Sequence, residues 1–276
     1  MDVLVTGAYG QCGTAIIDEL DDEPGYDFTY LNRSDRDPDH PYGGYDTVLA
    51  DVSDYEAMAP ACEGQDAVVH LAAYPGEAEW PIILENNIIG AYNALEAARE
   101  AEVETFVFGS TNHVVGMYEL ENAPEIYERK FGLVVDHTDP VRPDSFYGTS
   151  KAFGEDLGRY YVENYDYPKR FYSLRIGNVN HTEYDSPYGA VRGGGPDLEP
   201  GTDAYDRRVA RMKALWQSRR DFAHQVDCCL RDDSVSYDVF YGVSANSRRW
   251  LDLEHARSVI GYEPQDNGEE WTEPAE

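Results

Sequence analysis

The first thirteen residues restrict the fold more than any other stretch of the chain. Asp2–Thr6 is a short apolar run of strand type, Gly7-Ala8-Tyr9-Gly10-Gln11-Cys12-Gly13 follows it, and an amphipathic helix continues to about Leu20. Glycines three residues apart between a strand and a helix let the backbone turn tightly and approach a pyrophosphate, whose charge meets free N–H groups at the helix start. The chain is therefore expected to open as a dinucleotide-binding unit.

The same alternation continues downstream. Strands are expected at 28–31, 47–50, 66–72, 105–108 and 172–176, separated by helical stretches near 54–61, 81–101 and 146–165. Strands alternating with helices imply an α/β fold of Rossmann type, a doubly wound parallel sheet covered on both faces. No long spacer divides the 276 residues, so a single NAD(P)-binding domain is expected over 1–276, with a small C-terminal substrate lobe built mainly from 178–250. Within it, 181–205 reads as an irregular flap rich in Gly, Pro, Asp and Tyr. A basic amphipathic stretch at 206–229, a strand at 237–241 and a helix at 252–260 follow.

Charge narrows the partners. Asp and Glu number 53 against 22 Lys and Arg, a net charge of -31, and the lysines are only Lys130, Lys151, Lys169 and Lys213. Such a surface repels phosphate backbones and anionic lipid, so neither nucleic acid nor membrane is an expected partner. It suits a cytoplasm at very high salt, where charges are screened within about 3 Å at 1 M, and a halophilic source is expected. No apolar run approaches a membrane span and the N-terminus enters a strand directly, so a cytoplasmic protein is expected. Cys12, Cys62, Cys228 and Cys229 lack the spacing of a zinc site, and no metal is assigned.

Where the second strand ends, an NAD enzyme ordinarily carries an acidic residue for the ribose hydroxyls. Here the run is Leu31-Asn32-Arg33-Ser34. Asn32 does not repel a ribose phosphate, and Arg33 and Ser34 offer a cation and a hydroxyl, so NADP is preferred over NAD; a slipped register would instead make Asp35 the ribose ligand. Asp51 and Val52 follow the third strand, where adenine contacts are common in this fold. Leu71, Ala72, Ala73 and Ile176, at the ends of later strands, complete the expected cofactor wall beside Gly7, Tyr9, Gly10, Gln11, Cys12 and Gly13.

Tyr147-Gly148-Thr149-Ser150-Lys151 opens a predicted helix, so the phenol and the ammonium lie one turn apart on one face. A tyrosine titrates near 10, and a neighbouring ammonium favours the phenolate that acts as base. The strand ending Gly109-Ser110-Thr111-Asn112-His113 should meet this helix at the carboxyl edge of the sheet. Thr111 is the expected partner of the reacting oxygen, with Ser110 as the competing choice. His113 reads equally as a substrate contact or a structural histidine.

These motifs resemble the extended short-chain dehydrogenases, and within them uronate dehydrogenases and haloarchaeal aldose dehydrogenases acting on glucose 6-phosphate and L-arabinose. The similarity runs nearly end to end, through Asn86-Asn87-Ile88-Ile89-Gly90-Ala91-Tyr92-Asn93, 110–116, 147–154, Arg175-Ile176-Gly177-Asn178, 211–221 and Tyr241-Gly242-Val243-Ser244-Ala245-Asn246. It implies oxidation of the anomeric hydroxyl of a cyclic sugar to a lactone, with Thr111, Tyr147 and Lys151 catalytic. It also implies that Asn87 supports the cofactor site, and that Thr111, Asn112, His113, Tyr147 and Arg211 contact substrate. In uronate dehydrogenases the arginine matching Arg211 binds the sugar carboxylate. Pro75 and Asn178 stand where that family has serines, Asn32 replaces its aspartate, and 32 residues separate Asn178 from Arg211 where bacterial relatives use far fewer.

The pocket is thus rebuilt, and L-arabinose is the first expectation for the sugar, with a uronate or glucose 6-phosphate as alternatives. For the phosphate, Arg192 and Lys213 are the available cations. The flap, with Tyr184, Tyr188, Arg192 and Gly193-Gly194-Gly195, reads either as a lid over the sugar or as a passive surface loop. A nucleotide-sugar epimerase or dehydratase, or a non-catalytic NAD(P)-sensing module, would share the fold. The long helices at 81–101 and 146–165 could pair in a homo-oligomer, by analogy with the family.

Overall fold

The computed structural model describes residues 1–189 and 198–272. Its strands are β1 (Asp2–Thr6), β2 (Asp27–Asn32), β3 (Thr47–Leu49), β4 (Ala67–His70), β5 (Thr105–Thr111), β6 (Arg170–Ile176) and β7 (Tyr237–Gly242). They form one seven-stranded sheet in the order β3-β2-β1-β4-β5-β6-β7, every pairing parallel. The central strands are buried on both sides, which is why β4 reads as a continuous run rather than an alternation.

Alternate residues of the strands face two separate cores. Val3, Val5, Val69 and Val107 pack with Ile16, Ile17, Phe222 and Val226 of α1 (Gln11–Leu20) and a later helix, Arg219–Arg231. Leu4, Val68, Phe106 and Phe108 pack with Ala91, Ala94, Leu95 and Tyr161 of α2 (Gly90–Glu100) and α3 (Phe146–Asn164). Gly154 lets α3 lie against the sheet: a Cβ there would come within 2.3 Å of the Phe108 ring. Strand order reverses between β1 and β4, and at such a switch point the carboxyl ends of the strands open a crevice for ligand.

Three expectations change. β5 continues beyond Phe108, because Ser110 and Thr111 still pair with Arg175 and Ile176. The stretch 206–229 is two helices, α4 (Asp203–Leu215) and α5 (Arg219–Arg231), because the chain between them is captured by the segment after β6. Asn178 N–H donates to Leu215 O at 2.8 Å and Gln217 N–H to Asn178 O at 2.9 Å, and Ser218 then caps α5 by accepting from Asp221 N–H. The helix at 81–101 begins at Trp80 and contains a π-helical segment, Leu84–Ile89, a deviation often found at functional sites. Of the flap, Thr182–Tyr184 forms one short helical turn; Arg192 and 193–195 lie outside the described residues. No helix among the described residues is long and apolar enough to cross a membrane.

Candidate active site

The crevice is a cavity of about 530 Å³ that runs from the glycine turn to the start of α3. At one end Gly7 has φ +70°, and a Cβ there would sit 2.7 Å from Ala72 N, so only glycine fits this turn against β4. The first backbone bond of α1 is Thr14 N–H to Gly10 O at 2.9 Å, which leaves the amides of Gln11, Cys12 and Gly13 without helical partners, as an anion site requires. Beyond the turn the wall passes Asn32, Arg33, Asp51 and Val52, then Leu71, Ala72, Ala73 and Pro75, and ends at Ser110, Thr111, Tyr147, Lys151, Ile176 and Asn178. Length, glycine cradle and free amides together fit a dinucleotide, whose nicotinamide supplies the hydride acceptor and a positive charge when bound.

At the far end β5 and α3 converge. The Thr111 hydroxyl lies near enough to the Tyr147 phenol to favour its ionised form, and Lys151 Nζ donates to Gly109 O at 2.6 Å, 6.0 Å from the Tyr147 ring centre. Ser110 turns the other way, donating to Glu155 at 2.6 Å. Burial pushes the phenol of Tyr147 up to about 12, with Cys12 adding and the nearby Thr111 hydroxyl opposing. Burial likewise draws the Lys151 ammonium down to about 8, against the pull of Cys12. The protein alone therefore holds a neutral phenol beside a cation that is readily discharged.

Several expected site residues lie off the cavity. Tyr9 is buried beneath the turn, bonded to Thr47 Oγ1 and covered by the Arg36 guanidinium 5.4 Å from its ring. Ser34 is exposed, its carbonyl accepting from Asn32 Nδ2 at 2.8 Å. Asn87, in the π-helical segment, accepts from Tyr74 N–H at 2.8 Å and donates to Ser150 Oγ at 3.0 Å, so it ties the loop after β4 to α3. Asn112 is buried and its Nδ2 has no partner. His113 Nδ1 lies 2.8 Å from Asp144, its ring edge-on to Tyr147 with centres 6.0 Å apart.

Arg211 is engaged within the chain: its Nε and Nη2 donate to the two oxygens of Glu119 at 2.8 and 3.0 Å. Its bidentate fork is thus filled. Arg33 approaches Asn86 Oδ1 at 3.3 Å and Asp51 at 3.9 Å. Asn86, Gly109, Val179 and His181 also line the cavity. Sequence reading passed over them because no spacing marks them; His181 is carried in by the turn that follows Asn178.

A scan of family models matches residues 3–186 to the NAD dependent epimerase/dehydratase family. The chain belongs to that family. Among its relatives, an NAD-dependent glucose-6-phosphate dehydrogenase of Haloferax volcanii is 37% identical over 98% of this chain and 95% of its own length. An L-arabinose 1-dehydrogenase (NAD(P)(+)) of the same organism is 35% identical over 96% of each. The solved structure of a mutant uronate dehydrogenase of Agrobacterium tumefaciens in complex with NAD superposes with a TM-score of 0.74, at 30% identity, over 100% of this chain and 91% of that one. This epimerase/dehydratase family member thus groups with the dehydrogenases that act on CH–OH, and is an oxidoreductase of the same kind.

His70, at the end of β4, gives the family member a pH-dependent stability. It is buried and bonded to Thr6 Oγ1 at 2.9 Å, and burial, aided by Lys151, lowers its pKa to about 3 from 6.5. Between these values the unfolded chain binds a proton that the folded chain refuses. Its contribution is complete above pH 6.5 and is lost as pH falls toward 3, at about 1.4 kcal/mol per unit. The His70→Gln variant should lose that part of the acid slope in denaturant titrations between pH 6.5 and 4.5; an unchanged slope would place the proton elsewhere.

Proposed function

We propose that the chain is an NAD(P)-dependent sugar 1-dehydrogenase that oxidises the anomeric hydroxyl of a cyclic aldose to a lactone. The observation that carries this reading is the meeting of Thr111, Tyr147 and Lys151 at one end of a cavity that begins at the glycine turn. Thr111 holds the reacting oxygen and Tyr147 Oη takes its proton. Lys151 lowers the cost of the phenolate and orients the cofactor ribose. A nicotinamide held here would supply the acceptor for the C1 hydride, leaving C1–O as the lactone carbonyl once Tyr147 holds the hydroxyl proton. Gly7 and the amides of Gln11, Cys12 and Gly13 would hold the pyrophosphate.

NADP is the preferred cofactor in this reading, since no carboxylate ends β2 and Arg33 stands beside Asn32. Asn32→Asp should then raise KM for NADP by about tenfold or more, the scale of one charge–charge clash or lost ionic hydrogen bond, and lower it for NAD. An unchanged ratio would remove β2 from cofactor choice.

A uronate is disfavoured, because its carboxylate would have to displace Glu119 from Arg211. The sugars to compare first are L-arabinose, the first expectation, and glucose 6-phosphate, the substrates in the names of the two Haloferax relatives. Initial rates of NADP and NAD reduction at high salt with these sugars, other free aldoses and both common uronates test the reading. Reduction with a single sugar class supports it; fast turnover of a uronate would show that the Arg211–Glu119 pair opens. Reduction by no sugar would favour an epimerase or a sensor.

A further inference from the structure

Helix α4 carries Arg207, Arg208 and Arg211, and among the described residues only Arg211 meets a carboxylate. Arg211 is gripped by Glu119, which is itself buried and accepts from Tyr127 Oη at 2.6 Å. Arg208 is half-buried; its Nε is sealed from solvent and makes no hydrogen bond among the described residues. Among the described residues it has no ion pair. The charged and titratable groups that face it are Arg211, Glu119 and Tyr127, and burial keeps Tyr127 a neutral phenol. Arg208 itself thus faces one cation, Arg211, and one carboxylate, Glu119, which Arg211 already engages in a bidentate pair.

In a chain with 53 acidic and 22 basic residues, carboxylates pair most arginines, while Arg36 and Arg207 donate to backbone carbonyls instead. Arg99, Arg142, Arg175, Arg219 and Arg231 each meet a carboxylate at 2.5–2.8 Å. A guanidinium that gives up hydration beside a second guanidinium, without its own counter-ion, is unfavourable unless an anion from outside completes it. The cluster is linked to the reacting end of the cavity through Asp144: Gly116, in the same short helix as Glu119, lies so close that a Cβ there would meet Asp144 Oδ2 at 2.1 Å. Asp144 contributes to the field at Arg211 and holds His113, whose ring meets Tyr147. Arg208 lies one turn farther along α4, a rise of about 4.5 Å over three residues.

We propose that Arg208 recognises the phosphate monoester of a sugar phosphate whose anomeric carbon lies at Tyr147; this rests on the dehydrogenase reading above. A carboxylate attached directly to the sugar ring is short and planar, and the matching planar fork, Arg211, is already closed by Glu119. A phosphate stands one ester oxygen farther out, carries up to two charges, and is tetrahedral. It can accept from Arg208 and from the Arg211 Nη1 that Glu119 does not use. Lys213 is committed elsewhere, donating to Trp271 O at 3.0 Å with its ammonium over the Tyr188 ring.

The test uses the full chain at high salt, with glucose 6-phosphate and glucose as substrates and Arg208→Gln and Arg208→Lys as variants. KM for glucose 6-phosphate should rise about 10- to 100-fold in Arg208→Gln, the scale of a lost charge-assisted hydrogen bond, with kcat nearly unchanged and partial recovery in Arg208→Lys. Glucose kinetics should not move. Inorganic phosphate should inhibit the wild type competitively and the Gln variant weakly. Removing an unpaired half-buried charge should leave thermal stability equal or higher, whereas a structural arginine would lower it. Turnover of glucose with no preference for its phosphate, or equal KM changes for both sugars, would overturn the phosphate site and leave the dehydrogenase standing. No reduction with any sugar would overturn both.

Discussion

Tyr147→Phe is expected to lower kcat by about 10²- to 10⁴-fold, the usual worth of a positioned acid–base group, while cofactor affinity stays close to that of the wild type. Phenylalanine keeps the ring that meets His113 edge-on and removes only the oxygen that faces Thr111. The glycine turn and the Lys151 bond to Gly109 do not depend on that oxygen. The pH profile of the wild type adds a sign to this claim. Because the phenol of the protein alone titrates at about 12, oxidation should accelerate as pH rises, with an apparent pKa brought down by bound oxidised cofactor and Lys151. Turnover retained in the Phe variant with cofactor binding lost would invert the role assigned to this residue.

The largest effect on stability is expected from Arg175→Met. Arg175 and Glu155 are almost wholly buried, joined through Nε at 3.0 Å and Nη2 at 2.8 Å, and Arg175 Nη1 also donates to Tyr241 Oη at 3.0 Å. Glu155 further accepts from Ser110 at 2.6 Å and Ser173 at 3.2 Å. Methionine would leave the carboxylate buried with hydroxyl donors only, which costs about 3–5 kcal/mol. The strand end that carries Thr111 would loosen with it. Since the pair is out of solvent, salt should change this loss little. Denaturant titration checks the figure, and Arg175→Met with Glu155→Leu should recover most of it. A loss below about 1 kcal/mol would mean the pair is worth no more than a surface bridge.

What was legible in the sequence was local. The turn from Gly7 to Gly13 and the pair Tyr147 and Lys151 are set by spacing within one turn or one helix face, and the structure places them where that spacing implies. The choice between Ser110 and Thr111 stayed open because β5 was expected to stop at Phe108. Once the strand extends to Thr111, its two-residue period sends Ser110 toward Glu155 and Thr111 toward Tyr147. Features made by distant segments left no such trace. The Arg211–Glu119 pair spans 92 residues, and the break before α5 depends on backbone bonds between Asn178 and its partners Leu215 and Gln217. Neither periodicity nor a motif encodes these contacts. The placement of the Tyr9 side chain has a related cause: the turn motif fixes the backbone, but Thr47 and Arg36 decide that the ring points beneath it.

The most direct measurement is the fate of deuterium placed at C1 of the preferred sugar. Oxidation at the anomeric carbon predicts one deuterium in each reduced cofactor released, a lactone as product, and a slower rate for the labelled sugar when hydride transfer limits turnover. Reduced cofactor without deuterium, or sugar returned with no net reduction, would contradict the account.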